Sequence, residues 1–243
     1  MQVAVVGTGN VGSALVFHLL DVSSIDEILV MNIKDEWSSA AIMDAASAKP
    51  EAALKLSVAP FTRIHEADML LLTSGVQMKE GETGQDVLAR NIEVMNTILD
   101  SAPIKKSAVL IGLATPVDEI TAHIQKRYDL PSNHVFGFGG DLDRNRLTYV
   151  LRTRNNPVQD VWVVGEHGKN TIPVYEGEKE YEEVAQKTRN FLGDITAHGG
   201  SPRNLATGLR LARIAESVIT DAKRVHCICG YHPEYKCYLT WPF

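Results

Sequence analysis

The segment Gly7-Thr8-Gly9-Asn10-Val11-Gly12 restricts the fold of this chain more than any other. It follows the apolar run Val3 to Val6 and opens a helical pattern from Asn10 to Leu20, so its glycines occupy a strand-to-helix turn. In that setting each glycine has a physical task. The first permits the tight turn, the second lets a pyrophosphate approach the backbone, and the third lets helix and strand pack closely. Amides left unpaired at the helix N-terminus then face the phosphates. Gly7, Gly9, Asn10, Val11 and Gly12 are therefore expected to bind a dinucleotide.

The alternation begun there continues. Gln2 to Val6, Glu27 to Met31, Met69 to Thr73, Ser107 to Gly112 and Val135 to Gly137 read as strands. Between them, Asn10 to Leu20, Ser38 to Ala48, Asp86 to Ser101 and Pro116 to Tyr128 read as helices. Continuous apolar strands separated by helices imply a parallel sheet covered on both faces. Beyond Gly139 the pattern becomes α+β: a helix near Leu142 to Arg152, strands near Val161 to Val164 and Thr171 to Tyr175, and helices near Tyr181 to Ala197 and Asn204 to Thr220. The expected fold class is α/β, a Rossmann-type doubly wound parallel sheet over residues 1–140 followed by a substrate domain of α+β type over residues 141–243.

Three cysteines, Cys227, Cys229 and Cys237, cluster near the end of the chain, an odd number that a disulfide framework rarely leaves. Their spacing fits no standard zinc knuckle. Alternation from Val225 to Cys229, a turn from Gly230 to Glu234 and a return over Tyr235 to Trp241 suggest a hairpin with reduced thiols and no metal. The net charge of -6, with Lys and Arg scattered, argues against nucleic acid or an anionic membrane as partner. Met1 leads directly into the first strand without a basic leader, and no apolar run approaches the ~20 residues that span a bilayer. A cytoplasmic protein acting on a small molecule is expected.

The candidate chemistry lies in two motifs. His167 sits in Val163-Val164-Gly165-Glu166-His167-Gly168, and Asp143 and Arg146 in Gly139-Gly140-Asp141-Leu142-Asp143-Arg144-Asn145-Arg146. With these, and with Thr73-Ser74-Gly75-Val76, Arg90-Asn91, Pro116-Val117-Asp118 and the Ala206-Thr207 to Asp221 helix, the chain resembles the L-lactate and malate dehydrogenase family, including its 2-hydroxyisocaproate branch. The resemblance implies hydride exchange between a nicotinamide cofactor and a small 2-hydroxy or 2-oxo acid. By it, His167 exchanges a proton with the substrate C2 oxygen, Asp143 orients the imidazole, Arg146 grips the substrate carboxylate through a bidentate fork, and Gly75 belongs to the cofactor site. Asp143 and Arg146 are also spaced as a solvated i,i+3 helix pair.

Departures from the family pattern are informative. Asn32 stands where an acid is expected at the end of the second strand, with Asp35-Glu36 as the neighbouring acids if the register differs; Asn32 accepts a ribose hydroxyl but does not repel a 2′-phosphate, so NAD is expected, with NADP left open by the nearby Lys34. Gly84 stands where the family carries a carbonyl-polarising arginine, a loss worth about 10²- to 10³-fold in rate unless Lys79 or Arg90 supplies the charge. Met78 occupies the substrate-selecting position and cannot pair with a second carboxylate, which favours an apolar 2-oxo acid over oxaloacetate. Thr115 replaces an asparagine that positions nicotinamide and substrate, whereas Ser201 keeps a hydroxyl in the substrate pocket or starts a helix. The family continues past Trp241-Pro242-Phe243 through more sheet and a helix, and an apolar face left bare is expected to be covered in a homo-oligomer. Two functions remain in play: a working dehydrogenase, and a catalytically impaired relative that serves as a dinucleotide-binding scaffold or sensor.

Overall fold

A computed structural model of the chain describes residues 1–79, 81–154, 158–176, 181–198 and 205–243. In chain order these form β1 (Gln2–Val6), α1 (Asn10–Leu19), β2 (Glu27–Met31), α2 (Asp35–Ala48), β3 (Leu56–Val58), β4 (Met69–Leu72), α3 (Gly84–Leu99), β5 (Val109–Gly112), α4 (Val117–Arg127) and β6 (Val135–Gly137). There follow α5 (Gly140–Thr153), β7 (Val161–Val164), β8 (Ile172–Tyr175), α6 (Tyr181–Ala197), α7 (Leu205–Ile219), β9 (Cys227–His232) and β10 (Cys237–Pro242).

Period-two alternation of apolar strand residues builds two cores at once. Val3, Val5, Ile28, Val30, Met69 and Leu71 point to one side, onto Leu15, Val16 and Leu19 of α1 and Leu211, Ile214 and Ala215 of α7. Their neighbours Ala4, Val6, Leu29, Met31, Leu70 and Leu72 point to the other, onto Met95, Ile98 and Leu99 of α3 and Ile120 and Ile124 of α4. Strands buried on both faces need no polar residues, which is why β1 and β4 read as unbroken apolar runs.

The sheet runs β10-β9-β6-β5-β4-β1-β2-β3. Neighbours from β6 to β3 are parallel, the doubly wound α/β arrangement expected from the alternation. The strand order reverses between β1 and β4, which opens a crevice at their carboxyl ends. β3 escaped the sequence reading, because three residues are too few to display a period and their place is fixed only by pairing with β2. Helix α2 begins at Asp35 rather than Ser38; Asp35 and Glu36 in its first turn suit the positive end of a helix dipole.

The C-terminal hairpin also behaves differently from its place in the sequence. β9 and β10 pair antiparallel, and Cys229 pairs with Gly137 of β6, so residues from the expected substrate region complete the first sheet and cover its β6 edge. Thr240 of β10 exchanges two backbone hydrogen bonds with Gly165, just beyond β7 (2.9 and 3.0 Å). β7 and β8 form a separate two-stranded sheet, packed on Leu147, Val150 and Leu151 of α5 and Val184 of α6. Cys227, Cys229 and Cys237 are free thiols, the first two buried. No helix among the described residues is long and apolar enough to cross a membrane.

Candidate active site

The selected residues gather where the sheet opens. Gly7 to Gly12 follow β1, Asn32 follows β2, Gly75 and Met78 follow β4, Thr115 follows β5, and Asp143 and Arg146 lie in α5 after β6. His167 arrives from the turn between β7 and β8. Ser201 lies outside the described residues.

The glycine turn divides its tasks as the spacing requires. Gly7 has a φ of +99°, and a Cβ there would lie 2.5 Å from Ser74 Oγ. At Gly12 a Cβ would stand 1.9 Å from the Gly7 carbonyl oxygen, so only glycine lets α1 start this close to β1. Gly9 is different. It is exposed at the N-cap of α1, makes no side-chain cap, and a Cβ there would meet nothing within 4 Å. The first-turn amides, with Asn10 and Val11 among them, thus open on free space that a pyrophosphate can fill. At the end of β2, Asn32 Nδ2 donates to Thr8 Oγ1 (2.5 Å) and Asn32 Oδ1 accepts from the Ile33 N–H (2.7 Å). The amide fastens strand to turn, and the next acids along the chain are Asp35 and Glu36 in the first turn of α2.

A second fastening joins the loops after β4 and β5. Asn91 in α3 is fully buried; its Oδ1 accepts from the Val76 N–H (2.7 Å), and its Nδ2 donates to the carbonyls of Thr115 (2.7 Å) and Val76 (3.2 Å). Gly75 passes close to it, its missing Cβ leaving room for Ala114 and the Asn91 oxygen. Both Asn91 and Asp118 were visible in the sequence only as pieces of the family pattern, since a buried polar group in a helix declares its partners only after folding.

His167 Nδ1 donates to Asp143 Oδ2 at 2.6 Å, which places the exchangeable proton site at Nε2. Arg146 donates to the other oxygen, Asp143 Oδ1, at 2.8 Å, and Thr171 Oγ1 donates to Oδ2 at 3.3 Å. Asp143 and Arg146 therefore do form the i,i+3 pair, but one whose carboxylate is buried and also holds the imidazole. Burial pulls the imidazole pKa down, yet the hydrogen bond and charge of Asp143 outweigh it and leave the value above the ordinary 6.5. Gly139 makes the placement possible, because a Cβ there would lie 2.5 Å from His167 Cγ. The His167 N–H donates to Asp118 Oδ2 (3.1 Å), a further tie between the loop and α4.

At the expected arginine position Gly84 brings no charge, while Lys79 stands exposed earlier on the same loop. Gly84 opens α3 behind a Thr83–Asp86 capping box, with empty space where a side chain would project. Arg90 donates through one guanidinium nitrogen to Glu82 Oε2 (2.6 Å) and the Gln77 carbonyl (2.9 Å), which ties it to the loop before α3. Met78 is 58% exposed on the intervening loop.

Comparison with known proteins places these features in context. Residues 1–137 match the family described as lactate/malate dehydrogenase, NAD binding domain. L-lactate dehydrogenase 1 of Staphylococcus aureus is 27% identical, the match covering 92% of this chain and 78% of the relative. The malate dehydrogenase of Aeropyrum pernix superposes with a TM-score of 0.83 at 25% identity, covering 99% of this chain and 85% of that one. The malate dehydrogenase of Archaeoglobus fulgidus in complex with NADH superposes with a TM-score of 0.83 at 24% identity, covering 100% and 87%.

Proposed function

This chain belongs to the lactate/malate dehydrogenase family, and from that premise we propose that it is an NAD-dependent oxidoreductase of a small 2-hydroxy or 2-oxo acid. The observation that carries the reading is the His167–Asp143–Arg146 array, its carboxylate buried, in a chain whose glycine turn is open at Gly9. Residues 1–140 hold the dinucleotide and residues 141–243 supply the reacting side chains. NAD, held by Gly7, Gly9, Asn10, Val11, Gly12, Asn32 and Gly75, supplies a hydride acceptor or donor. The absence of a carboxylate at Asn32 leaves NADP as an alternative.

The chain's own groups then act on the substrate. Asp143 fixes the imidazole with Nδ1 protonated and stabilises its cation, so Nε2 takes the hydroxyl proton in oxidation and returns it in reduction. Arg146 spends one guanidinium nitrogen on Asp143 and keeps its remaining donors for a substrate carboxylate. Thr115 is assigned to the substrate pocket; the pocket role expected of Ser201 falls on a residue outside the described ones. Met78 offers thioether surface and no charge, which suits an apolar 2-oxo acid and disfavours oxaloacetate.

A second reading rests on a specific observation: Gly84 supplies no charge and Arg90 is tied to Glu82. The site then binds dinucleotide with slow turnover or none, as a scaffold or sensor. Fluorescence titration with NADH and NADPH, followed by pyruvate, 2-oxoisocaproate and oxaloacetate at fixed cofactor, separates the two. Turnover lost in His167→Ala supports the enzyme; binding without turnover, indifferent to that change, supports the scaffold. Preference for oxaloacetate would remove the role given to Met78. Exposed Trp37 and Met43 on α2 and Leu205 and Leu209 on α7 support a homo-oligomer, and sedimentation as a monomer at high concentration would remove that element.

A further inference from the structure

Asp118 is a buried acid that the reaction just described does not use. It stands at the second position of α4, is 8% exposed, and sends Oδ2 to the His167 N–H at 3.1 Å. Its Oδ1 is also buried, and no N–H or O–H donor among the described residues reaches it. A carboxyl that needs only to tie down a loop does not have to be an acid, since an asparagine oxygen accepts the same N–H. A half-satisfied carboxyl in the interior is costly to keep, which directs attention to its charge.

We propose, on the footing of the reaction assigned above, that Asp118 is a positioning residue for His167: it anchors the backbone of the proton-carrying loop and adds a second negative charge near the imidazole to that of Asp143. The groups that face this pair come from every packed element. Asp143 and Arg146 face the imidazole from α5, Glu119 flanks Asp118 on α4, and Cys229 lies against Asp118 from β9. Burial lifts the Asp118 carboxyl above its ordinary value, against the pull of the Cys229 thiol, the His167 N–H and the imidazole charge. Each group thus favours charge on the other, and the two titrate as a pair. Protonation of His167 in the oxidative direction is eased while Asp118 is ionised.

The test is Asp118→Asn, which keeps an oxygen for the His167 N–H and removes only the charge, read by NMR titration of the His167 imidazole. We expect the imidazole pKa to fall by about half a unit, with unchanged NADH affinity and KM. The alkaline limb of kcat/KM for 2-oxo-acid reduction should move to lower pH by the same amount. An imidazole titration identical to that of the unaltered protein overturns the proposal, because a merely structural anchor would leave it unmoved. Carboxyl ¹³C titration of the unaltered protein gives a second reading that does not depend on the variant folding. Asp118 should titrate above the ordinary carboxylate range and shift again through the His167 transition; a single ordinary step overturns the pairing. Neither NMR reading requires turnover, so a shifted imidazole in an inactive protein refutes the assigned reaction and upholds the carboxyl pair.

Discussion

Replacing Gly139 with alanine adds one methyl group under the His167 ring and nothing else. The backbone there has a φ of 176°, outside the left-handed region that favours glycine. The added Cβ would lie 2.5, 2.6 and 2.7 Å from His167 Cγ, Nδ1 and Cδ2. Carbon atoms settle at about 3.5–4.0 Å, so the ring must retreat by about 1 Å. The 2.6 Å bond from His167 Nδ1 to Asp143 then opens to a length at which it holds little. A displacement of about 1 Å at a reacting group costs on the order of 10²-fold in rate. Forcing the methyl into packed space costs roughly 2 kcal/mol, which in a domain of this size lowers Tm by roughly 4–8 °C. The phosphate turn lies apart from this contact, so NADH affinity should be preserved. The assays are steady-state reduction of a 2-oxo acid, thermal unfolding and NADH fluorescence. Full kcat with an unchanged Tm would refute the argument, for it would mean that the imidazole does not rest on Gly139.

Other expectations follow from the same geometry. Gly9→Val should leave Tm nearly unchanged yet weaken NADH binding by at least about tenfold, since its side chain enters only the open cradle; Gly12→Ala, whose Cβ would stand 1.9 Å from the Gly7 oxygen, should instead lower Tm, and calorimetry with cofactor titration distinguishes the two. Gly84→Arg places a guanidinium in empty space on the bare wall and should raise kcat for 2-oxo-acid reduction by up to about 10²-fold in single-turnover measurements. The raised pKa of His167 contributes stability that is fully present below about 6.5 and is lost as pH rises through the higher folded value. Denaturant unfolding of His167→Gln across that window should therefore lack this decline, and an identical pH slope in both proteins would argue that the imidazole is unperturbed.

The parallel sheet was legible because its strands are buried on both faces, so β1, β2 and β6 could be read to the residue from continuous apolar runs. The glycine turn was legible because positive φ and close approach exclude other residues at Gly7 and Gly12. His167, Asp143 and Arg146 were readable as a family pattern, and their contacts at 2.6 and 2.8 Å bring that pattern together. β3 and the buried ties of Asn91 and Asp118 were not readable, because a short edge strand has no period and a polar residue in a helix looks solvated until its partners are known. The C-terminal hairpin was read as strands around inert thiols. That Thr240 clasps Gly165, and Cys229 pairs with Gly137, follows from contacts between residues 75 to 92 positions apart, which no local pattern records.

What the sequence determined by itself is the class of fold and the kind of chemistry, since both rest on local constraints: period, turn geometry and residue type at fixed spacing. Tertiary structure decided the balance of the site. It turned the Asp143–Arg146 helix pair inward onto His167, set the second carboxyl of Asp118 behind the same loop, and tied Arg90 to Glu82. The physical reason is that proton affinity and electrostatic help depend on distance and burial, and these are fixed only when α3, α4, α5 and the β7–β8 turn close on one another.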